Sequence, residues 1–144
     1  MTLADVNVLI YAFRRDAPHH QICRNWLENT ISGTARFGIS TLVLSGVVRV
    51  VTNPRAFKMP SACEEAFEFC DNLIHQPNCQ IVDPGEKHWS IFKHLCIETG
   101  TSGARATDAW FAALAIESGC EWVTLDRDFA RFPGLKWHPP SAEV

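Results

Sequence analysis

The sequence predicts an α/β fold, a three-layer α/β/α sandwich in which a mainly parallel sheet of about five strands lies between helices. Short apolar segments typical of buried strands alternate with longer segments whose apolar residues recur at helical spacing. This alternation favours parallel pairing, because a helix has to return the chain to the starting edge of the sheet. A length of 144 residues suits one domain, so residues 1–144 are expected to form a single domain.

Two strands and three helices are predicted in the first part of the chain. Pro18 is expected at the start of the second helix and Gly33 at its end, and an Asn-Pro pair closes the third. In chain order the segments are MTLAD, a strand; NVLIYAF and PHHQICRNWLENTIS, helices; ARFGIS, a strand; and TLVLSGVVRVVTNP, a helix.

Three more helices and three more strands are predicted in the rest of the chain. Ser61 and Glu64 have the spacing of a capping box, and Gly100 and Gly119 are expected to end two of these helices. The segments are SACEEAFEFCDNLIHQP, a helix; CQIVDP, a strand; EKHWSIFKHLCIETG and ATDAWFAALAIESG, helices; EWVTL, a strand; and a tail with a helical turn in DRDFARF and a last edge strand near LKW.

Composition limits the function classes that need to be considered. The formal net charge is −3, so nucleic-acid binding would require a local basic patch. The six cysteines show no CxxC pair and no zinc-ligand spacing, which favours reduced core cysteines in the cytosol. The N-terminus lacks the pattern of a secretory signal, and the most apolar stretch is too short for a membrane span, so we expect a soluble cytoplasmic protein.

Three aspartates stand where an apolar or merely capping residue is expected. Asp5 ends the first strand, Asp126 follows the strand WVTL, and Asp108 lies in the first turn of an otherwise apolar helix. Ligands of parallel sheets bind beyond the carboxyl ends of the strands, so these acids are predicted to share one edge of the sheet.

Carboxylates brought together repel one another unless a cation neutralises them. A cluster of acids without His or Cys favours Mg²⁺ or Mn²⁺, and such ions support phosphodiester hydrolysis. Asp108 has a second interpretation as a carboxylate favoured by the helix dipole, and Asp126 as a cap of the following turn. Asp5 is the hardest of the three to explain structurally, because it interrupts a buried strand.

The chain carries, in order, DVNVLIYAF, STLVLSGVVRVVTNPRAF and ATDAWFAALAIESGCEWVTLDRDFARFPGLKW. Together these segments resemble PIN-domain ribonucleases, and most closely the VapC toxins of bacterial VapBC toxin–antitoxin modules. The resemblance implies a five-stranded parallel sheet between helices and a Mg²⁺- or Mn²⁺-dependent endoribonuclease that cleaves a tRNA or ribosomal RNA site. It also implies neutralisation by a VapB-type antitoxin and a homodimer.

Carried over residue by residue, the resemblance assigns Asp5, Asp108 and Asp126 as catalytic and metal-binding acids. It places Asn7 where a polar residue is usual, and we expect Asn7 to orient the Asp5 carboxylate. One position departs from the family: Gly46 stands where a Glu is usual, which predicts fewer negative metal ligands. Asp128 is interpreted mainly as a solvent-exposed turn acid.

Substrate features are less specific. Seven arginines lie near the acidic motifs, and Arg49 is expected to pair with an acid near the site, whereas the aromatic residues are more often core than base-stacking. These arginines are Arg14, Arg15, Arg49, Arg55, Arg105, Arg127 and Arg131, and the aromatic residues are Phe13, Phe57 and Trp110.

Two alternatives stay open at this point. Gly46 allows a catalytically impaired PIN domain that acts as an RNA- or protein-binding module. A phosphatase of the haloacid dehalogenase type would need a second Asp where Asn7 stands, which makes it a poor match.

Overall fold

The centre of the fold is a five-stranded sheet, seen in a computed structural model that describes residues 1–141. In chain order the strands are β1 (Thr2–Ala4), β2 (Phe37–Ile39), β3 (Cys79–Ile81), β4 (Glu121–Val123) and β5 (Trp137–His138). They lie in the order β3-β2-β1-β4-β5, and every neighbouring pair is parallel. The predicted α/β class and its parallel sheet are therefore confirmed.

Helices connect these strands and form the outer layers of the sandwich. They are α1 (Val6–Phe13), α2 (His20–Ser32), α3 (Thr41–Val51), α4 (Cys63–Ile74), α5 (His88–Thr99) and α6 (Arg105–Ser118), with a 3₁₀ helix at Arg127–Arg131. Helix α1 packs against α2 and α3, α3 packs against α4, and α5 packs against α6. No helix within residues 1–141 has both the length and the apolar character needed to cross a membrane.

Both predicted glycine stops of the later helices are confirmed. Gly100 ends α5 with a φ of 64°, and Gly119 ends α6 with a φ of 70°. Side chains with a Cβ rarely adopt this left-handed conformation, so glycine favours these helix ends.

Two predicted helix starts are wrong in detail. Helix α4 begins at Cys63, and Ala62 occupies the N-cap position without a side-chain cap, so the capping box does not form. The hydroxyl of Ser61 instead accepts a hydrogen bond of 3.0 Å from the guanidinium of Arg14. Helix α2 begins at His20, after Pro18 and a left-handed residue at His19.

An aromatic stack positions the elements around β4. The fully buried indole of Trp122 in β4 stacks on Phe111 of α6, with ring centroids 5.3 Å apart, and contacts Phe129 of the 3₁₀ helix at 5.5 Å. Burial of rings of this size contributes several kcal/mol. The stack thus holds the first turn of α6 and the 3₁₀ helix beside the carboxyl end of β4.

The six cysteines are all unpaired thiols. Three of them are buried, two are half-buried and Cys63 is exposed. The predicted placement in the core therefore holds for three positions, which are Cys23, Cys70 and Cys120.

Gly38 marks a close approach between the inner strands. It lies opposite Leu3 of β1, and a Cβ at this position would stand 2.8 Å from Cδ2 of Leu3 and 2.8 Å from Cγ2 of Val82. Leu3 is fully buried and Val82 is buried, so either side chain would have to move within the packed core. The sheet and its covering layer therefore require glycine here.

We expect Gly38→Ala to lower the free energy of unfolding by about 1–3 kcal/mol through overpacking, as measured by urea denaturation. Leu3→Val provides the control in a double-mutant cycle, because the shorter side chain removes one of the two contacting atoms and should reduce the effect of Gly38→Ala. A gain in stability, as alanine gives in a strand position with room, would contradict this account.

Candidate functional site

Asp5, Asp108 and Asp126 line one open cavity of about 920 Å³. Asp5 directly follows β1, Asp126 follows β4, and Asp108 lies in the first turn of α6. Since β1 and β4 are parallel neighbours, their carboxyl ends meet at the same edge of the sheet. The structure thus brings together the three acids that the sequence singled out.

Asp5 is a buried carboxylate held by neutral hydrogen-bond donors. Only 8% of the residue is exposed. One carboxylate oxygen, Oδ1, accepts a 2.6 Å hydrogen bond from the backbone N–H of Val6 at the start of α1. The other, Oδ2, accepts a 2.7 Å hydrogen bond from the hydroxyl of Thr124.

Burial raises the pKa of Asp5 to about 6. The negative charges of Asp108 and Asp126 contribute to this rise, while the hydrogen bonds from Thr124 and Val6 oppose it. The charge of Asp5 is thus poorly stabilised by the protein alone, which is typical of a functional carboxylate.

Sequence reasoning missed Thr124, which joins two of the acids. Its fully buried hydroxyl donates to Asp5 and accepts a 3.0 Å hydrogen bond from the backbone N–H of Asp126. The only signal in the sequence is a hydroxyl residue at the end of the apolar segment WVTL, two positions before an acid.

Asn7 bonds Thr124, which in turn bonds Asp5, and does not bond the Asp5 carboxylate itself. Its amide nitrogen donates to the Thr124 hydroxyl at 3.4 Å, and its amide oxygen accepts from the backbone N–H of Leu125 at 3.4 Å. The prediction that Asn7 orients the Asp5 carboxylate directly is wrong, because Thr124 occupies that position. Asn7 instead ties α1 to the segment that follows β4.

Asp108 is partly exposed and has charged neighbours of both signs. Burial raises its pKa, and Asp126 and Asp128 raise it further, whereas Arg131 and Arg105 lower it. The nearest guanidinium nitrogen of Arg131 lies 3.9 Å from Oδ2 of Asp108. Asp108 is therefore both a helix-start acid and a member of the shared cavity.

The capping interpretation of Asp126 is confirmed, while its predicted role as a metal ligand stays a prediction. Its carboxylate accepts a 2.9 Å hydrogen bond from the backbone N–H of Asp128 and so caps the 3₁₀ helix, and the same residue lines the cavity. Asp128 is an exposed turn acid, as predicted, and lies 3.8 Å from the guanidinium of Arg105.

The acids of the cavity form an incomplete set of metal ligands. Within residues 1–141, no group of three or more His, Cys, Asp or Glu side chains is arranged so that it could hold a metal ion. The three acids share a cavity but do not form a closed set of ligands. A bound ion would therefore complete its coordination with water.

Gly46 is buried where α3 packs against α1. A Cβ at this position would lie 3.0 Å from Cγ2 of Val6, the residue after Asp5. The missing side chain permits this close approach, so Gly46 has a packing role next to the site. A Glu introduced here would press on Val6.

Basic and aromatic side chains form another part of the cavity wall. Arg49, Phe57 and Lys58 line it, and the guanidinium of Arg14 lies 4.1 Å above the ring of Phe57. Arg49 is exposed and forms no ion pair within residues 1–141, so its predicted pairing with an acid near the site is wrong.

The other two candidate stacking residues pack inside the fold, as expected of core aromatics. Phe13 packs against Phe69 with tilted rings whose centroids lie 4.8 Å apart, and Trp110 packs edge-on against Phe111 at 5.6 Å. Lys58 was not singled out from the sequence, since a lone lysine in a loop carries no pattern.

Comparison with known proteins places this chain in a family. The PIN domain model matches residues 2–135. Ribonuclease VapC43 of Mycobacterium tuberculosis is 39% identical over 140 residues, which cover 97% of this chain and 95% of that protein. Ribonuclease VapC31 of the same organism is 38% identical over 136 residues, which cover 94% of this chain and 96% of that protein.

Solved structures share the fold at lower sequence identity. VapBC2 from Rickettsia felis, bound to a DNA fragment from its promoter, aligns with a TM-score of 0.71 and 21% identity over 96% of this chain and 97% of that chain. VapBC-1 from Haemophilus influenzae aligns with a TM-score of 0.66 and 16% identity over 96% of each chain. With the domain match and relatives of 38–39% identity, the conclusion is that the chain belongs to the VapC family of PIN-domain proteins.

Proposed function

We propose that this protein is a Mg²⁺- or Mn²⁺-dependent endoribonuclease toxin of a type II toxin–antitoxin system. It acts in the cytoplasm on a tRNA or ribosomal RNA site and is neutralised by a VapB-type antitoxin. The observation that carries the proposal is the shared cavity of Asp5, Asp108 and Asp126, in which one carboxylate is buried without a charged partner. Relatives of 38–39% identity that are named ribonucleases support it.

Asp5, Asp108 and Asp126 are the acids that would hold the metal ion, one or two of them as direct ligands and the rest through bound water. A bound Mg²⁺ or Mn²⁺ supplies a water of lowered pKa and stabilises charge on the phosphate oxygens. Mg²⁺ is commonly held by one or two carboxylates with several waters, which suits an open set of acids. The protein contributes fixed positions for two of the ligands, because Thr124 bonds both Asp5 and the backbone of Asp126.

The cavity wall supplies groups that suit an RNA strand. Arg49 and Lys58 place positive charge beside the acids, and phosphate contacts of this kind dominate nucleic-acid affinity. Phe57 offers a ring for stacking of an unpaired base. Arg49 and Lys58 would thus supply the local positive charge that RNA binding requires in a protein of net charge −3.

The partner would bind an apolar groove between α3 and α4. This groove has a volume of about 390 Å³ and is lined by Leu44, Val48 and Phe67, and 52% of Phe67 is exposed. The solved structures of similar fold are VapBC complexes, which supports a VapB-type antitoxin as partner. A homodimer of this chain is also part of the proposal.

The alternative is a catalytically impaired PIN domain that binds RNA or protein without cleavage. Two observations favour it: Gly46 replaces the usual Glu, and the described residues offer no closed metal-ligand set. Restoring the acid with Gly46→Glu is an ambiguous test, because the new side chain would contact Val6. Metal-dependent cleavage by the unchanged protein separates the two functions directly.

The central experiment is incubation of the purified protein with total tRNA and ribosomal RNA, with chelator or with added Mg²⁺ or Mn²⁺. We expect cleavage only with metal, and a fall of more than about a hundredfold for Asp5→Asn and Asp108→Asn, since even outer partners of metal ligands matter 10–100-fold. Sequencing of the new RNA ends measures the cleavage and maps the site.

Asp71→Asn is the matched control for the central experiment. Asp71 is an exposed carboxylate on α4, and the substitution removes the same charge outside the cavity. If Asp5→Asn keeps both RNA cleavage and growth inhibition, the proposed mechanism is wrong. If the unchanged protein binds RNA but cleaves it with neither metal, the binding-module alternative replaces it.

A second prediction concerns Thr124 as a positioning residue. Thr124→Val keeps the shape but removes both the donor to Asp5 and the acceptor for the Asp126 N–H. We expect metal affinity to fall about 10–100-fold and the free energy of unfolding by about 1–3 kcal/mol. Metal titration of cleavage and urea denaturation measure the two effects. Thr124→Ser keeps the hydroxyl and should retain both the metal affinity and the stability. Equal metal affinity for Thr124→Val and the unchanged protein would contradict the positioning role of Thr124.

A third prediction concerns the stability of the metal-free protein. The pKa of Asp5 is raised from 3.8 to about 6 by folding, so the folded state keeps a proton that the unfolded state loses. The free energy of unfolding should therefore fall as pH rises from about 4 to about 6, by roughly 3 kcal/mol, and then level off. Urea denaturation in chelator across this pH range measures the decline.

Asp5→Asn should lack this decline, since the amide does not titrate. The other groups titrate in both proteins, so the difference between the two curves reports Asp5 together with its electrostatic coupling to Asp108 and Asp126. Asp71→Asn should follow the unchanged protein. Parallel curves for the unchanged protein and Asp5→Asn would show that the Asp5 pKa is not raised by folding.

A further inference from the structure

Arg131 is a charged side chain without a hydrogen-bond partner. It lies in the 3₁₀ helix, and only 22% of its side chain is exposed. All three nitrogens of its guanidinium are buried and make no hydrogen bond. Buried polar groups are rarely left unbonded, so this arrangement needs an explanation.

The surroundings of Arg131 hold the guanidinium in place without satisfying it. The group lies 4.7 Å from the centre of the Phe132 ring, and its nearest acid is Asp108 at 3.9 Å. Arginine that serves as a structural partner of a carboxylate commonly forms two parallel hydrogen bonds of about 2.7–2.9 Å. The 3.9 Å ion pair with Asp108 is too long for that, so the buried nitrogens of Arg131 are left without a hydrogen-bond acceptor.

Arg131 lines a small cleft with a second arginine and several hydroxyl groups. The cleft has a volume of about 380 Å³, and we call it the Arg131 cleft. Its polar lining consists of Thr99, Thr101, Ser102, Arg105 and Arg131. The lining combines two arginine side chains with hydroxyl groups, of which those of Thr99 and Thr101 bond each other, and paired guanidinium groups suit the tetrahedral oxygens of a phosphate.

The Arg131 cleft is adjacent to the acidic cavity. Ala104 lines both, and the first turn of α6 carries Arg105 toward one and Asp108 toward the other. A polymer with a regular series of phosphates could therefore occupy the Arg131 cleft and the acidic cavity at the same time. A free phosphate ion would gain nothing from this adjacency.

We propose that the Arg131 cleft binds a phosphate of the RNA backbone that flanks the phosphate being hydrolysed. This inference rests on the proposed ribonuclease function. The guanidinium of Arg131 lies 3.9 Å from Asp108, so a phosphate held by Arg131 would lie close to the acidic cavity. The cleft then fixes the register of the strand relative to the acids.

The first arm of the test measures binding of a short fluorescein-labelled oligouridine by fluorescence anisotropy in chelator, over a range of salt concentrations. We expect Arg131→Gln and Arg105→Gln each to weaken binding about tenfold, and each to reduce the slope of log affinity against log salt by about 0.7. Arg131→Lys keeps the charge but not the planar fork, so it should keep the slope and still bind more weakly.

Arg36→Gln is the matched control for this arm. Arg36 is an exposed arginine just before β2, at the amino ends of the strands, whereas the acids follow the carboxyl ends. The Arg36→Gln substitution therefore removes the same charge far from the cleft. It should leave both affinity and slope unchanged. Arg105 is exposed, so its variant tests the cleft even if Arg131→Gln impairs folding, which thermal unfolding will show.

The second arm uses an RNA oligonucleotide that spans the cleavage site mapped on total tRNA or ribosomal RNA. Each phosphate in turn is replaced by a neutral methylphosphonate. We expect one replacement beside the cleaved bond to raise KM about tenfold for the unchanged protein but not for Arg131→Gln. The methylphosphonate and the substitution remove the same contact between Arg131 and a phosphate, so the second change adds nothing. The kcat should stay within about twofold, because this contact is equally strong in the ground state and the transition state.

Several results would overturn the assignment. If the unchanged protein cleaves RNA while neither arginine variant changes KM or the salt slope, the phosphate subsite is wrong and the ribonuclease function stands. A fall in kcat with unchanged KM would show that Arg131 acts through Asp108 alone, and loss of antitoxin binding alone would assign the cleft to a protein partner. If the unchanged protein neither binds nor cleaves RNA, the proposed function itself fails.

Discussion

The rest of the site depends on the burial of one carboxylate, Asp5, at the end of the central strand. The fold places this acid under neutral donors only, the N–H of Val6 and the hydroxyl of Thr124, beside two further acids. Such an arrangement destabilises the ionised form, and a pKa of about 6 expresses that cost. Stability alone favours an apolar residue at this position, and the proposed metal site accounts for the acid.

The order of the strands explains how distant residues reach this acid. Because β1 lies between β2 and β4, the segment after β4 passes directly beside Asp5, and Thr124 bonds across 119 positions of sequence. The indole of Trp122 then packs α6 and the 3₁₀ helix against β4, which brings Asp108 and Asp126 to the same edge. The hydrophobic core and the acidic cavity are thus built by the same contacts.

Sequence reasoning could predict those features that depend on local pattern. The alternation of strand and helix segments predicted the parallel sheet, and the position of acids after apolar strands predicted Asp5 and Asp126 as site residues. Both signals are contained in a few adjacent residues. Thr124 and the true partner of Asn7 could not be predicted, because their bonds depend on the register between β1 and β4. The same limit explains Ser61, whose hydroxyl is bonded by Arg14 from a distant segment instead of capping its own helix.

The role of Gly46 in the structure differs from the one that the sequence indicates. As a pattern it is a missing acid, whereas in the structure it is the point where α3 approaches Val6, the residue whose N–H holds Asp5. A larger side chain there would displace the donor as well as add a charge, so the effect of the position on the site is mechanical and electrostatic together. The acids of the cavity and the glycine beside them therefore form one coupled unit, and substitutions at either will not be additive.

The 3₁₀ helix links the acidic cavity to the Arg131 cleft. Asp126 lines the cavity and also caps this helix through the N–H of Asp128, while Arg131 ends the same helix beside Asp108. Phe129, from the middle of the helix, packs against Trp122 and fixes the whole turn to the sheet. A single short element thus sets the distance between an acid of the cavity and an unbonded guanidinium. Such rigid spacing is what an enzyme needs to hold a polymer in one register while one of its bonds is cut.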